Sequence, residues 1–311
     1  MAGIHHVTAI SGNAGRNLDF YEHTLGLRFV KKTVNFDDPG TYHLYYGDEL
    51  GRPGTILTFF PWEHAAPGRR GVGVGHETAF RVPASALGYW THRLIEKGVT
   101  HDALEKRFGD PVLPFADPDG LRLALVGTAD GGAERGWSNG DIPAEHAVRG
   151  FHGVTLLLDD TGATGAVLAD VLGFAKVGDE GPTRRYRADD ASLGGVVDLQ
   201  AAKGFLRGQV GRGSVHHIAF RAKDDAAQAE MAARLRDRHR LQTTEQKDRQ
   251  YFRSVYFREP GGVLFEIATD DPGFTVDEPQ ASLGTALKLP RFLEAHRQEI
   301  EAALPPLKEA A

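Results

Sequence analysis

Gly3-Ile4-His5-His6-Val7-Thr8-Ala9-Ile10 returns later in the chain as Gly150-Phe151-His152-Gly153-Val154-Thr155-Leu156-Leu157, at an offset of 147 residues. Each copy is a strand-like run followed by a polar turn, a short helical pattern and then Leu25-Gly26-Leu27 or Leu172-Gly173-Phe174. A second pair repeats in the same way. His76-Glu77-Thr78-Ala79-Phe80-Arg81 matches His216-His217-Ile218-Ala219-Phe220-Arg221, 140 residues further on. Each of these precedes a helical pattern, at 86–97 (Leu87, Trp90, Leu94) and at 226–238 (Met231, Leu235). Each then reaches a turn and an apolar strand, Asp117-Pro118-Asp119-Gly120 before 121–125 and Glu259-Pro260-Gly261-Gly262 before 263–267. Self-similarity at a near-constant offset marks duplicated supersecondary units.

The chain therefore reads as four strand–helix–strands modules in two tandem halves, an α+β fold. Boundaries follow from composition: a first half at 1–130, a linker at 131–149, a second half at 150–272 and an extension at 273–311. The linker carries Gly131-Gly132, Ser138-Asn139-Gly140 and Pro143 without an apolar period. Further strands are expected at 41–46, 55–60, 184–187, 195–199 and 254–257. In the extension, Phe292, Leu293, His296 and Ile300 fall at helical spacing behind Pro290, which predicts an amphipathic helix over 290–304 that packs or self-associates. The glycine-rich run 68–75 lacks the Lys-Ser/Thr of a phosphate loop and reads as a variable loop.

Composition removes several function classes. Thirty-six basic and forty-two acidic residues among 311 leave a net charge of −6, with no basic excess for nucleic acid or an anionic membrane. No window approaches ~18 consecutive apolar residues and no leader pattern opens the chain, so a cytoplasmic protein is expected. Cys is absent, which excludes disulfides, Cys-zinc sites, iron–sulfur clusters and thiol catalysis. A metal must then be held by N and O donors, and there are 14 His.

His6, His217 and Glu266 lie on strands of the first and fourth modules. Two His and one carboxylate form the facial set that holds a mononuclear non-haem Fe(II) and leaves coordination positions open. The duplication supplies an internal control. The counterparts of these residues are Gly153, Glu77 and Ala124, so one copy retains a donor set and the other has lost it. His5 and His216, by contrast, have His counterparts in the emptied copy (His152, His76), which favours His6 and His217 as ligands. Adjacent strand residues point to opposite faces, so only one of each His pair faces the metal. Related modules also build metal isomerases with four protein ligands. Here the fourth position falls at Thr58 or Phe59, and neither is a carboxylate.

The sequence resembles the vicinal oxygen chelate superfamily, and within it the dioxygenases that cleave hydroquinone rings. The resemblance is carried by Ile4-His5-His6-Val7-Thr8, by 42–55 beginning Tyr42-His43-Leu44-Tyr45, by Glu145-His146-Ala147-Val148-Arg149-Gly150-Phe151-His152 and by His216-His217-Ile218-Ala219-Phe220. It continues through Arg249-Gln250-Tyr251-Phe252-Arg253-Ser254-Val255-Tyr256, Pro260-Gly261-Gly262-Val263-Leu264-Phe265-Glu266 and Ser282-Leu283-Gly284. It implies paired βαβββ modules curling around a cleft, and Fe(II), with Mn(II) as an alternative, bound by His6, His217 and Glu266. It further implies catalytic roles for Tyr256 and Arg249 toward substrate oxygens, for His5 and His216 in orienting ligands or moving protons, and for Thr8 on the strand face of His6. The expected partners are a small aromatic diol and O2, with self-association open and neither nucleic acid nor membrane. Two other activities of such modules are a metal-dependent glyoxalase-like lyase or isomerase and a non-enzymatic drug-binding protein.

Overall fold

The two runs that open the halves become β1 (Ile4–Ser11) and β9 (Phe151–Leu158), and the second repeated pair becomes β5 (Val74–Pro83) and β13 (Ser214–Ala222). The computed structural model describes residues 2–129, 136–138 and 140–307. Residue 130 of the first half, parts of the expected linker (131–135 and 139) and the last four residues of the extension lie outside the described residues.

Each module follows one plan. The first continues from β1 into α1 (Ala14–Asp19), a π-helical turn (Phe20–Thr24), β2 (Arg28–Asn35), β3 (Asp38–Gly47) and β4 (Ile56–Pro61). The second adds α2 (Leu87–Glu96), β6 (Glu105–Arg107), β7 (Asp110–Ala116) and β8 (Arg122–Thr128) to β5. The third adds α3 (Gly162–Asp170), β10 (Ala175–Glu180), β11 (Thr183–Arg187) and β12 (Val196–Ala201) to β9. The fourth adds α4 (Asp225–His239), β14 (Lys247–Asp248), β15 (Arg253–Arg258) and β16 (Leu264–Thr269) to β13. Side chains of Asn13 and Asp224 accept backbone N–H bonds at the starts of α1 and α4, the usual satisfaction of orphan helix donors. Trp90 and Leu94 of α2 and Leu235 of α4 are buried, as their spacing requires.

Sheet pairing runs across the halves. One sheet has the order β14-β15-β16-β13-β1-β4-β3-β2, so it joins the first module to the fourth. The other has the order β10-β11-β12-β9-β5-β8-β7-β6 and joins the second to the third. Both centres are antiparallel and share one register: His6 faces Ala219 and Thr8 faces His217 in the first sheet, while Gly153 faces Ala79 and Thr155 faces Glu77 in the second. A strand slip of one residue would turn every inward side chain outward, so this shared register is what makes the two clefts comparable position by position.

The glycine-rich run is a structural crossover. Segments 67–72 and 207–212 connect module one to two and three to four, and they hydrogen-bond to each other. Arg69 N donates to Gln209 O at 2.9 Å and Gln209 N donates to Arg69 O at 2.8 Å. The crossovers lie so close that a Cβ on Gly71 would fall 2.2 Å from Leu206 O, and one on Gly211 would fall 2.5 Å from Ala66 O. Glycine is needed there because no side chain fits between the two backbones.

Two further latches join modules within each half. Asp117 Oδ1 accepts the N–H groups of Asp119 and Leu121, and Oδ2 accepts the Tyr21 hydroxyl at 2.9 Å. At the equivalent turn Glu259 accepts the N–H groups of Gly261 and Val263 and the Thr164 hydroxyl of α3. The C-terminal extension is held by Lys31 of β2. That lysine is fully buried and is paired with Asp277 at 2.6 Å and with Glu278. The helix expected over 290–304 is shorter, α5 (Arg297–Ala303), preceded by a 3-10 turn at Glu294–His296. Leu293 N instead bonds Pro290 O in a turn at 2.8 Å, and Ile300 and Leu304 pack into the main core. No helix of the described residues is long and apolar enough to cross a membrane.

Candidate metal centre

His6 of β1, His217 of β13 and Glu266 of β16 lie on three neighbouring strands. Ala219 pairs with His6 on one side and with Glu266 on the other, and His217 shares the face of Ala219 two residues away. One donor atom from each of the three falls within 4.8 Å of the others. Their separations are 3.4 Å for His6 Nε2 to His217 Nε2, 3.0 Å for His217 Nε2 to Glu266 Oε2 and 3.4 Å for His6 Nε2 to Glu266 Oε2. All three residues are buried.

The surrounding hydrogen bonds aim these atoms. His6 Nδ1 lies 2.9 Å from His5 Nδ1, and His217 Nδ1 lies 2.8 Å from His216 Nδ1. When Nδ1–H of each inner ring donates to its neighbour, the lone pair of Nε2 is left pointing at the common centre, and the neighbour fixes tautomer and ring plane. The Ser254 hydroxyl donates to Glu266 Oε1, while the buried Oε2 is left without a hydrogen bond. Burial holds His217 below the usual imidazole range, which keeps it neutral. A buried carboxylate oxygen with no donor, facing two imidazole lone pairs, is a costly arrangement without a cation at its centre. The residues present therefore suit a divalent metal with three N/O ligands and open positions.

The centre opens into a cavity of about 240 Å³ lined by His6, His217, His216, His43, Tyr45, Phe60, Trp62, Phe252, Tyr256 and Arg249, with Asn35, Phe36 and Asp37 on its lining as well. Tyr256 lies beside His217, ring centroids 5.7 Å apart, and its oxygen accepts from Arg249 Nε at 3.2 Å. Burial, with Glu266 nearby, raises the Tyr256 phenol, so it remains protonated. Of the other residues singled out from sequence, His216 lines the cavity, whereas His5 packs behind His6 against Phe252 and does not line it. Thr8 is fully buried beneath it. Its hydroxyl bonds Thr58 Oγ1 at 2.9 Å, Thr58 bonds His43 Nε2 at 2.8 Å, and His43 Nδ1 bonds the Tyr45 hydroxyl at 2.8 Å. Thr58, not Phe59, is thus the inward residue of β4, and no carboxylate stands at the fourth position.

His43, Trp62 and Asp37 were not picked out by sequence reasoning. A signal existed for His43, because it alternates with Tyr45 on one face of β3. None existed for Asp37, which sits in a hairpin and reads as a solvated turn residue.

In the second sheet the equivalent positions hold Gly153, Glu77 and Ala124. A Cβ at Gly153 would fall 2.2 Å from Val196 O, so β12 leaves no room for an imidazole there. Arg107 donates to both oxygens of the buried Glu77, and Arg185 pairs with Asp198 at 2.9 and 2.8 Å. Guanidinium groups neutralise the carboxylates of this cleft.

Comparison with known proteins places this geometry. Residues 3–125 match the model of the Glyoxalase/Bleomycin resistance protein/Dioxygenase superfamily. The chain is 46% identical to MhqO of Bacillus subtilis (strain 168), named as a candidate ring-cleaving dioxygenase, over 98% of this chain and 96% of that protein. It is 34% identical to the chlorohydroquinone/hydroquinone 1,2-dioxygenase of Sphingobium indicum, over 96% of this chain and 94% of that protein. A crystal structure of a candidate dioxygenase from Bacillus subtilis superposes with a TM-score of 0.94 at 45% identity, covering 99% and 98% of the two chains. Glyoxalase I from Zea mays, at 15% identity and a TM-score of 0.66 over 87% and 93% of the chains, shares the fold. The chain belongs to the glyoxalase, bleomycin resistance protein and dioxygenase superfamily.

Proposed function

We propose that this protein is a non-haem, Fe(II)-dependent, extradiol-type dioxygenase that opens the ring of a hydroquinone-type diol. The observation that carries this reading is a three-donor centre of His6, His217 and Glu266 whose open side faces an aromatic cavity. Its relatives named for ring cleavage and for chlorohydroquinone and hydroquinone support the reaction and the substrate class. Fe(II) held by this set supplies the redox chemistry that joins an aromatic diol to O2, and Mn(II) suits the same donors.

The chain's own groups prepare that chemistry. Phe60, Trp62 and Phe252 give the ring an apolar bed and exclude water. Tyr256 accepts from Arg249, so its single hydrogen is free to point into the cavity and donate to a substrate oxygen as negative charge develops there. Burial and the neighbouring His217 hold His216 down at about 3, so it acts as a neutral imidazole. With Nδ1 accepting from His217, its proton sits on Nε2. Burial likewise keeps His43 neutral, and its two nitrogens fix Thr58 and Tyr45.

The test is anaerobic purification and reconstitution with Fe(II) or Mn(II), followed by O2 uptake and product analysis on a panel of hydroquinones and catechols. Ring-opened product in proportion to bound metal is expected. Full metal occupancy without O2 consumption on any diol would overturn the reading.

A further inference from the structure

Two edge strands of the first sheet meet across the mouth of the cavity through one ion pair. β2 lies at one end of the strand order and β14 at the other. Asp37, in the hairpin between β2 and β3, places Oδ2 2.9 Å from Nη2 of Arg249, which follows β14. Arg249 also donates its Nε to Tyr256. Nε and Nη2 of its guanidinium are therefore committed, one to the phenol and one to the carboxylate. Its side chain is 18% exposed and that of Asp37 is 63% exposed, so the cation faces the cavity and its counter-ion faces solvent. Among the described residues lining the cavity, these two are the only Asp, Glu, Lys or Arg.

We propose that Asp37 is a specificity-determining residue. By occupying Arg249 it keeps the outer part of the cavity electrically neutral, and it selects uncharged quinols over quinols bearing an anionic ring substituent. This inference rests on the hydroquinone reading above.

The physical argument has two parts. A guanidinium beside an aromatic cavity captures a ligand carboxylate through charge-assisted hydrogen bonds when those donors are free. Asp37 takes up such a donor. It also sets a fixed negative charge beside any incoming carboxylate, and specificity commonly uses repulsion of this kind. A methyl or chloro substituent meets neither effect and gains from Phe36 and Trp62 instead. Lys247, which does not line the cavity, also acts on the Asp37 carboxylate, more weakly than Arg249. Salt screens this exposed carboxylate, which limits the discrimination to a moderate factor.

The test compares methylhydroquinone with 2,5-dihydroxybenzoate, the same quinol carrying a carboxylate, in the Fe(II)-reconstituted wild type, Asp37→Asn and Asp37→Glu. Asparagine still accepts a hydrogen bond from Arg249 but removes the charge. The ratio of kcat/KM for the carboxylated over the methylated substrate should rise roughly ten- to a hundredfold in Asp37→Asn and return to the wild-type value in Asp37→Glu. A second readout needs no turnover: binding of both compounds to the metal-free proteins, followed by quenching of Trp62, with Trp62→Phe identifying that signal. The same shift in relative Kd is expected. A ratio unchanged within about twofold, or an equal loss for both compounds, overturns the inference. If the wild type turns over neither compound the hydroquinone reading fails, and the Trp62 binding ratio still decides the role of Asp37.

Discussion

Arg107 donates to both carboxylate oxygens of Glu77, and Glu77 occupies the register position in the second sheet that His217 occupies in the first. A guanidinium thus pairs with the carboxylate that stands in the place of His217. Gly153, pressed against Val196, leaves no room for a side chain at the counterpart of His6. The two clefts descend from one design, and each balances its buried charge differently.

His217→Ala should lose the bound metal, because two protein donors remain, while Glu77→Gln should retain it. Arg107→Ala should also retain the metal but destabilise the fold. Leaving a buried charge unpaired costs about 3–5 kcal/mol in full burial. With the Arg107 side chain 29% exposed, about 2 kcal/mol is expected. Metal analysis and urea denaturation of the three variants check both statements. Equal metal content in His217→Ala and wild type would remove His217 from the ligand set.

Glu266→Gln should abolish metal binding, because a neutral amide is a much weaker metal donor than the carboxylate it replaces. The increase in melting temperature that metal gives the wild type should vanish, since binding stabilises only where affinity remains. Calorimetry of chelated and metal-loaded samples measures this.

Tyr256→Phe should keep the metal and the fold and lower turnover by about ten- to a hundredfold. Full removal of a donor aimed at developing charge costs ~10²–10³, and the neutral N–H of His216 covers part of the loss. Oxygen uptake at saturating diol reads the effect. A rate equal to wild type would reduce Tyr256 to a packing residue.

Asp117 ties the second module to Tyr21, and burial raises its carboxyl from 3.8 to about 6. Its folded value lies above its unfolded one, so between those values the folded protein keeps a proton that the unfolded chain has released. Stability from this group is therefore present below about pH 4 and is lost as pH rises through about 6. The loss amounts to roughly 3 kcal/mol at about 1.4 kcal/mol per unit. Asp117→Asn keeps the acceptor for Asp119 and Leu121 and cannot titrate. The difference in denaturation free energy between wild type and Asp117→Asn should narrow or reverse across that window, and a constant difference from pH 4 to 8 would refute the assignment.

Much of the centre was legible in the sequence because the chain carries its own comparison. His6, His217 and Glu266 stood out against Gly153, Glu77 and Ala124, and the shared strand register is what makes those counterparts real positions. Tyr256 and Arg249 came through resemblance, since Arg249 taken alone looks like one more charge in 245–249. The crossovers were not legible. Gly71 and Gly211 are glycine because of backbone segments some 140 residues away, and nothing local encodes that approach. Asp37 was invisible for a related reason, its partner being 212 residues distant. The start of the last helix was misjudged because Phe292 keeps helical spacing while its own segment turns at Pro290. There the side chain stays 65% exposed, its ring edge-on to Phe36 at 6.0 Å.

The sheets join module one to four and two to three, whereas the Tyr21–Asp117 and Thr164–Glu259 latches join one to two and three to four. Contacts of the two kinds alternate around the molecule and return to their start, so none of the modules is terminal. A closed circuit of this sort has no free end from which to fray, and loosening any one module breaks a strand ladder and a latch together. It also means that β1 must wait for β13, about two hundred residues later in synthesis, before it has its antiparallel partner. Chains dominated by such distant pairings fold slowly. Until the fourth module arrives, β1 presents an unpaired edge to the cell.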